Sequence, residues 1–338
     1  MARSLSDDEL RRRFHEHVVT MLSAGDPQPQ DQPRLLIVCG QPGAGKSFTE
    51  RTLIADMDLT SFVAVDADDL RPYHPDYVEL ARADDRTADE KTVSTSRALA
   101  TMALNWARGQ RFNVVWSTPL SGADVARWAA GRFLPDGYRL DVAGVGVDAA
   151  RSALSVLHRY QQGRDRSGAG RLVPAGYHDK VYGSLPDTLN TVEAEGLAHG
   201  VHLFDRDGQR HYRSERDSTA SPAPTAGKAL GDVRDRQWTG KAAADFRSVA
   251  GWLARSPQTD PAQLPHLRAE HRCSPLAADL RPRLAEVVAM GAARLRGLRA
   301  ADAVRRAFPT ALHRTAARPV TAAPRQPSAQ PVRDLPQR

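Results

Sequence analysis

The sequence predicts an α/β fold: a P-loop kinase-like parallel sheet flanked by helices, with a mainly helical C-terminal extension. Three observations carry this. An apolar run at residues 35–38 feeds a glycine-rich loop, apolar strands then alternate with helix-length segments as far as residue 213, and beyond residue 275 leucines and valines recur at helical spacing. With 338 residues, 41% of them hydrophobic, the chain is long enough to bury a sizeable core.

Residues 4–23 read as an amphipathic helix, with Leu10, Phe14, Val18 and Leu22 four apart and Ser6 followed by Glu9 as a capping pattern. A Pro/Gln-rich link at 26–33 leads into the strand at 35–38, and a helix follows at 47–55. Residues 61–66, 112–117 and 138–147 read as strands; 87–108, 122–132 and 148–162 read as the helices between and after them. Residues 201–204 and 209–213 flank Asp205-Arg206-Asp207-Gly208, a hairpin signal. Such alternation implies a parallel sheet covered on both faces, with the site at the carboxyl ends of its strands.

After Ser214 the composition shifts to Ser, Pro, Ala and Thr, which reads as a flexible linker. Leu276, Leu280, Leu284, Val287, Val288, Leu295 and Leu298 then mark a helix whose apolar face either packs back on the core or docks another protein. The resulting organisation is an N-terminal helix and link (1–33), a kinase domain (34–213), a linker (214–231), a helical region (232–317) and a Pro-rich tail (318–338) expected to be disordered.

The loop itself is Gly40-Gln41-Pro42-Gly43-Ala44-Gly45-Lys46-Ser47, a complete G-x-x-x-x-G-K-[ST] phosphate loop between strand and helix. Its glycines let successive N–H groups point inward as an anion nest. Residues Gly40 to Ser47, with Phe48 after them, are the candidate nucleotide-binding set; Lys46 reaches the β- and γ-phosphates and Ser47 completes the shell of a Mg²⁺. The absence of an Asn-Lys-x-Asp motif favours ATP over GTP.

No apolar run approaches the roughly 20 residues that cross a bilayer, and the first residues lack the apolar core of a secretory signal. Two cysteines, Cys39 and Cys273, make no disulfide framework and read as inert thiols in a reducing cytoplasm. The net charge of +7 is spread over scattered arginines with few aromatics between them, which disfavours nucleic acid and suits an anionic substrate or an acidic protein partner. His74, His202 and His211 lie in no metal-ligand spacing, and His74 beside Pro75 reads as a local hydrogen-bonding residue.

Phosphoryl transfer to a hydroxyl needs a base near that hydroxyl and positive charge on the moving group. The second strand ends in Val65-Asp66-Ala67-Asp68-Asp69-Leu70-Arg71, which puts carboxylates at the active edge of the sheet, although any of them could instead cap a helix. Together with the phosphate loop and His74-Pro75, this motif resembles the zeta toxin family of toxin–antitoxin kinases. Arg159-Tyr160, Arg171-Leu172-Val173-Pro174 and His178-Asp179 resemble the family's two nucleotide-side arginines in their contexts. The likeness covers roughly residues 4 to 213.

The resemblance implies an ATP- and Mg²⁺-dependent kinase acting on the amino-sugar 3′-hydroxyl of UDP-N-acetylglucosamine, which starves cell-wall synthesis, and a small antitoxin over the nucleotide site. It makes Asp68 the general base, Lys46 the phosphate-binding lysine, and Arg159 and Arg171 the transition-state clamp, roles that fork-shaped donors and a hydroxyl-aligning carboxylate can fill chemically. The chain departs from the family pattern on the acceptor side. Ala100 stands where UDP-sugar kinases of the family carry a glutamate, and Trp116-Ser117-Thr118 replaces Glu-Gly-Thr. Trp116 reads either as a core aromatic or as a stacking platform for a flat ring; Thr118 either holds a substrate hydroxyl or is structural. Two alternatives follow: the same machinery acting on another nucleotide sugar, a dinucleotide or an antibiotic, or a nucleotide-binding interaction module whose kinase site has decayed.

Overall fold

The computed structural model describes residues 4–57, 59–216, 225–255 and 276–307. A six-stranded sheet runs in the order β2-β3-β1-β4-β5-β6, built from β1 (Arg34–Cys39), β2 (Val63–Asp66), β3 (Val114–Thr118), β4 (Arg139–Gly146), β5 (Gly200–Asp205) and β6 (Arg210–Glu215). All neighbours are parallel except β5 and β6, which close as an antiparallel hairpin. β1 and β4 are buried along almost their whole length, which is why their sequences are continuous apolar runs rather than alternating ones.

The register aligns the carboxyl ends. Cys39 pairs with both Thr118 and Gly144, and Asp66 pairs with Ser117, so the phosphate loop, the Asp66–Asp69 turn and the exits of β3 and β4 share one edge. One face of the sheet packs Leu36, Val38 and Val115 on Leu53 of α3 (Lys46–Asp56). The other face packs Leu35, Ile37, Val114 and Trp116 against α5 (Ala88–Gly109), α6 (Ala123–Phe133) and α8 (Ala175–Ala194).

The N-terminal helix is present with a local change. It runs as α1 (Asp7–Arg13), a π-helical turn (Phe14–Val18) and α2 (Val19–Ser23), and the Ser6 side chain accepts from the Glu9 N–H at 3.3 Å. Phe14, Val18 and Leu22 are buried in the main core. α7 (Ala149–Ser167) is capped by Asp148 and continues past the predicted end to a left-handed Gly168. The hairpin turns on Asp205, whose carboxylate accepts from the N–H groups of Asp207 and Gln209, with Gly208 at φ +82°.

Three elements were not expected from the sequence: α4 (Tyr77–Ala83), α8 and α9 (Ala226–Asp235). α8 carries an internal Pro186, which masks a buried stripe of Val181, Leu185, Leu189 and Val192. The linker assigned to residues 214–231 needs correction at both ends. Ser214 and Glu215 belong to β6, and residues 226–231 belong to α9, whose Ala226, Leu230 and Val233 are spaced to form one buried face. That face sits hard against β4, where a Cβ on Gly146 would come within 2.6 Å of Val233. Residues 217–224 and the Pro-rich tail lie outside the described residues.

α10 (Gly240–Leu253) is capped by Thr239 and buries Phe246, whose ring packs tilted against Trp238 with centroids 4.9 Å apart. A 3₁₀ turn (Ala278–Leu280) leads into α11 (Arg281–Ala307). Leu276, Leu284 and Val287 are buried and Gly291 lies against Phe246, so this stretch packs back on the core, while Val288 is exposed. Among the described residues no helix is long and apolar enough to cross a membrane.

Because Leu230 is fully buried in the main core, Leu230→Ala is expected to destabilise the whole fold by about 2–4 kcal/mol. Urea denaturation checks this, and a change below about 0.5 kcal/mol, the size of an ordinary surface substitution, would show α9 to be peripheral.

Candidate active site

The phosphate loop leaves β1 and curls into α3 through Gly43 at φ +78° and Gly45 at φ +95°. Gly43 also tolerates no side chain, since a Cβ would stand 2.1 Å from the Ser152 carbonyl oxygen. The curl therefore rests directly on the first turn of α7. Ala44 is buried with Val145 and Val147, whereas Ser47 and Phe48 face solvent at the start of α3.

Gln41, placed in the nucleotide-binding set by sequence, turns its side chain inward and is fully buried. Its Nε2 donates to the Val147 carbonyl at 2.8 Å and to Ser152 Oγ at 3.3 Å, and its Oε1 accepts from Arg234 at 3.1 Å. Arg234, on α9, also donates to the Tyr182 carbonyl at 2.9 Å and lies over the Tyr182 ring at 3.9 Å. Trp238 donates to Asp148 at 2.8 Å. Ser152 Oγ in turn meets His178 Nε2 at 2.9 Å. The loop backbone is thus held from behind by a buried polar network that reaches into the C-terminal helices.

Lys46 Nζ donates to the Gly40 carbonyl at 3.3 Å, so the ammonium lies back across the loop mouth. Burial lowers its proton affinity, with Asp66 and Asp68 pulling the other way. Burial pushes the Cys39 thiol below the loop up to about 12, which leaves it inert.

Asp66 acts locally: its carboxylate accepts from the Asp68 N–H at 2.8 Å and its carbonyl from the Asp69 N–H at 3.1 Å. This turn aims Asp68 into a cluster of cations. Asp68 pairs with Arg171, with Arg71 at 3.4 Å, and with Arg159 at 3.8 Å. Arg171 also pairs with Asp89, which Arg71 approaches at 3.5 Å. Burial by itself would raise the Asp68 carboxyl, but Arg171, Arg71 and Arg159 outweigh it and hold it below the ordinary carboxylate range. Glu50 and Asp69 are shifted upward, first by burial and then by Asp66, an excess of negative charge near Lys46.

The sequence-predicted Lys46, Asp68, Arg159 and Arg171 are thus on one edge of the sheet, and the last three form a single ion cluster. Arg159 comes from α7; Arg171 follows it in a loop held by the Gly170 N–H donating to Asp85 at 2.8 Å, with Tyr160 donating to the same carboxylate at 3.0 Å. Asp85, Asp89, Arg71 and Arg234 are the residues sequence reasoning missed. Arg71 alone had a signal, its place at the end of the Asp-rich motif.

The acceptor-side residues lie differently. Trp116 is buried in the main core and packs edge-on to Trp128 at 5.8 Å, because its register with Ile37 and Val65 turns it toward the α5–α6 face. Its stacking-platform reading is therefore replaced by the core one. Ala100 is buried in the same cluster. Thr118 Oγ1 accepts from the Leu120 N–H at 3.5 Å in a turn where Leu120 has φ +50°. His74 Nδ1 accepts from the Asp76 N–H at 3.1 Å, the local role expected of it.

Residues 20–217 match the family model described as zeta toxin. The chain belongs to the zeta toxin family. Toxin zeta of Streptococcus pyogenes is 23% identical over 228 residues, which is 67% of this chain and 78% of that protein. Toxin PezT of Streptococcus pneumoniae is 25% identical over 191 residues, 56% of this chain and 75% of that protein. The solved structure of the PezAT chromosomal toxin–antitoxin system of Streptococcus pneumoniae superposes with a TM-score of 0.62 at 22% identity, covering 73% of this chain and 95% of that chain. The fold is that of the zeta toxins, P-loop kinase-like toxins, and Arg234 lies beyond the segment that the zeta toxin model matches.

Removing Arg234 strands the Gln41 and Tyr182 oxygens, so Arg234→Ala should destabilise the protein by about 2–3 kcal/mol in urea melts. Asp68 has a folded pKa below its unfolded value, so its pairing stabilises above about pH 3.9 and is lost as pH falls through the lower folded value. Asp68→Asn without ligand should therefore lower stability at pH 7, and the gap to wild type should close toward pH 3; a gap independent of pH would contradict the ion cluster.

Proposed function

We propose that this chain is an ATP- and Mg²⁺-dependent kinase that phosphorylates the amino-sugar 3′-hydroxyl of UDP-N-acetylglucosamine and so blocks cell-wall synthesis. The observation that carries this reading is the convergence of Asp68, Arg159 and Arg171 beside the phosphate loop. A phosphate-binding protein without transfer chemistry needs no carboxylate held among three guanidiniums.

The nest and Lys46 bind the donor phosphates, and the lysine moves from the Gly40 carbonyl to the phosphate oxygens as they arrive. On donor binding Arg159 would turn from Asp68, and Arg171 from Asp68 and Asp89, to the transferring group, where charge spreads over its equatorial oxygens. As Arg171 leaves, Asp68 loses the partner that most depresses its pKa and gains the basicity to align the acceptor hydroxyl and take its proton. Ser47, exposed in the first turn of α3, would hold magnesium together with the donor phosphate oxygens, where the ion would neutralise charge on the donor. The net charge of +7 suits an anionic acceptor, and those substrates place the reaction in the cytoplasm. The toxin–antitoxin character of the PezAT relative supports a small antitoxin as partner.

The burial of Trp116 and Ala100 favours one second reading, the same machinery acting on another nucleotide sugar, a dinucleotide or an antibiotic, because neither residue offers the acceptor a carboxylate. Labelled ATP with a panel of such acceptors separates the two. UDP-N-acetylglucosamine should be labelled by wild type, and Asp68→Asn should slow labelling by about 10²–10⁴-fold. Lys46→Ala should also abolish labelling and any growth arrest on expression. Labelling of a different acceptor alone would move the substrate assignment, and ATP binding with no labelled acceptor would leave a nucleotide-binding module.

A further inference from the structure

Among the described residues, Arg206, in the turn after β5, is a cation without a counter-ion. Its guanidinium makes one hydrogen bond, Nη1 to Ser155 Oγ at 2.7 Å, and among the described residues no carboxylate lies at ion-pair distance. It is only partly exposed. Burial lowers its proton affinity and neighbouring Arg151 lowers it further, while Asp148, Asp207 and Asp245 act the other way from a distance. Buried cations are ordinarily paired, because desolvating an unpaired charge is costly.

Its position explains the exception. A Cβ on Gly45 would stand 3.3 Å from Arg206 Cγ, so the side chain lies across the last glycine of the phosphate loop. The same turn presses Gly208 on Phe48, in the first turn of α3. Ser155 donates its own proton to the Arg151 carbonyl at 2.9 Å, which fixes its oxygen as the acceptor that aims the guanidinium.

We propose that Arg206 is a phosphate-binding residue of the donor site, and that its counter-ion is a phosphate of the bound nucleoside triphosphate. This rests on the donor reading above and adds a cation from β5–β6 to those of the loop and of α7. A residue kept in this state destabilises the free protein and is compensated only on binding.

Calorimetric titration of ATP, ADP and inorganic tripolyphosphate, each with Mg²⁺, into wild type, Arg206→Met and Arg206→Lys tests the assignment. Arg206→Met should weaken all three by about tenfold or more while melting, without ligand, at or above the wild-type temperature; Arg206→Lys should recover much of the affinity. Affinities within about twofold of wild type would overturn it. So would weakened ATP and ADP with tripolyphosphate unchanged, which would place the guanidinium on the base. If Arg206→Met does not fold, Arg206→Gln decides: a loss of about tenfold or more for all three ligands supports the assignment, and unaltered affinity alongside a lowered melting temperature would mark a structural arginine. Failure of wild type to bind any of the three would remove the donor reading itself and this assignment with it.

Discussion

The contact between Gly43 and the Ser152 carbonyl is the constraint on which the site depends. The phosphate loop can form its nest only if the chain takes left-handed φ values at Gly43 and Gly45, and that curl has to rest on something. It rests on the first turn of α7, whose N-cap Asp148 closes β4 and whose Ser152 bonds the loop through Gln41. Donor cradle and α7 are therefore one rigid unit. α7 also carries Arg159, so the distance from the phosphate loop to that arginine is set by helix packing, while Arg171 follows in a loop held by the Gly170 N–H on Asp85.

The charges in this site are arranged to be rearranged. Lys46 bonds a loop carbonyl, Asp68 is shared among three guanidiniums, and Arg206 has a hydroxyl in place of an anion. The bonds of Lys46 and Arg206 are to neutral oxygens, which a polyphosphate can replace with charge-assisted ones, and the guanidiniums on Asp68 can exchange one anion for another. The supporting network behind the loop is the opposite: Gln41, Ser152, His178 and Arg234 are buried, mutually bonded and closed to ligand. The loop backbone is therefore held by fixed polar bonds on the side away from the ion cluster.

The C-terminal helices take part in this support. Composition made residues 214–231 look like a tether, yet Ala226, Leu230 and Val233 form a buried face against β4 and β5, and Arg234 follows at its end. Arg234 and Trp238 tie α9 and the turn after it to Gln41 and Asp148. The phosphate loop is completed by residues nearly two hundred positions away.

By itself the sequence determined the six strands, most of the helices between them and the phosphate loop, while the resemblance of short motifs to the zeta toxin family singled out Asp68, Arg159 and Arg171 as residues to watch. All of these are local signals: hydrophobic period, glycine spacing, and short motifs whose chemistry is contained in a few neighbouring side chains. Pro186 hid α8, and a Ser/Pro-rich run hid the start of α9, because local composition outvoted a buried stripe that only packing reveals. The tertiary structure decided the rest. Trp116 became a core residue because strand register chose its face; Arg71, Asp85, Asp89 and Arg234 acquired roles because folding set them beside partners distant in sequence. A pairwise charge or hydrogen bond between remote segments leaves no period and no spacing in the chain, so only the fold can show it.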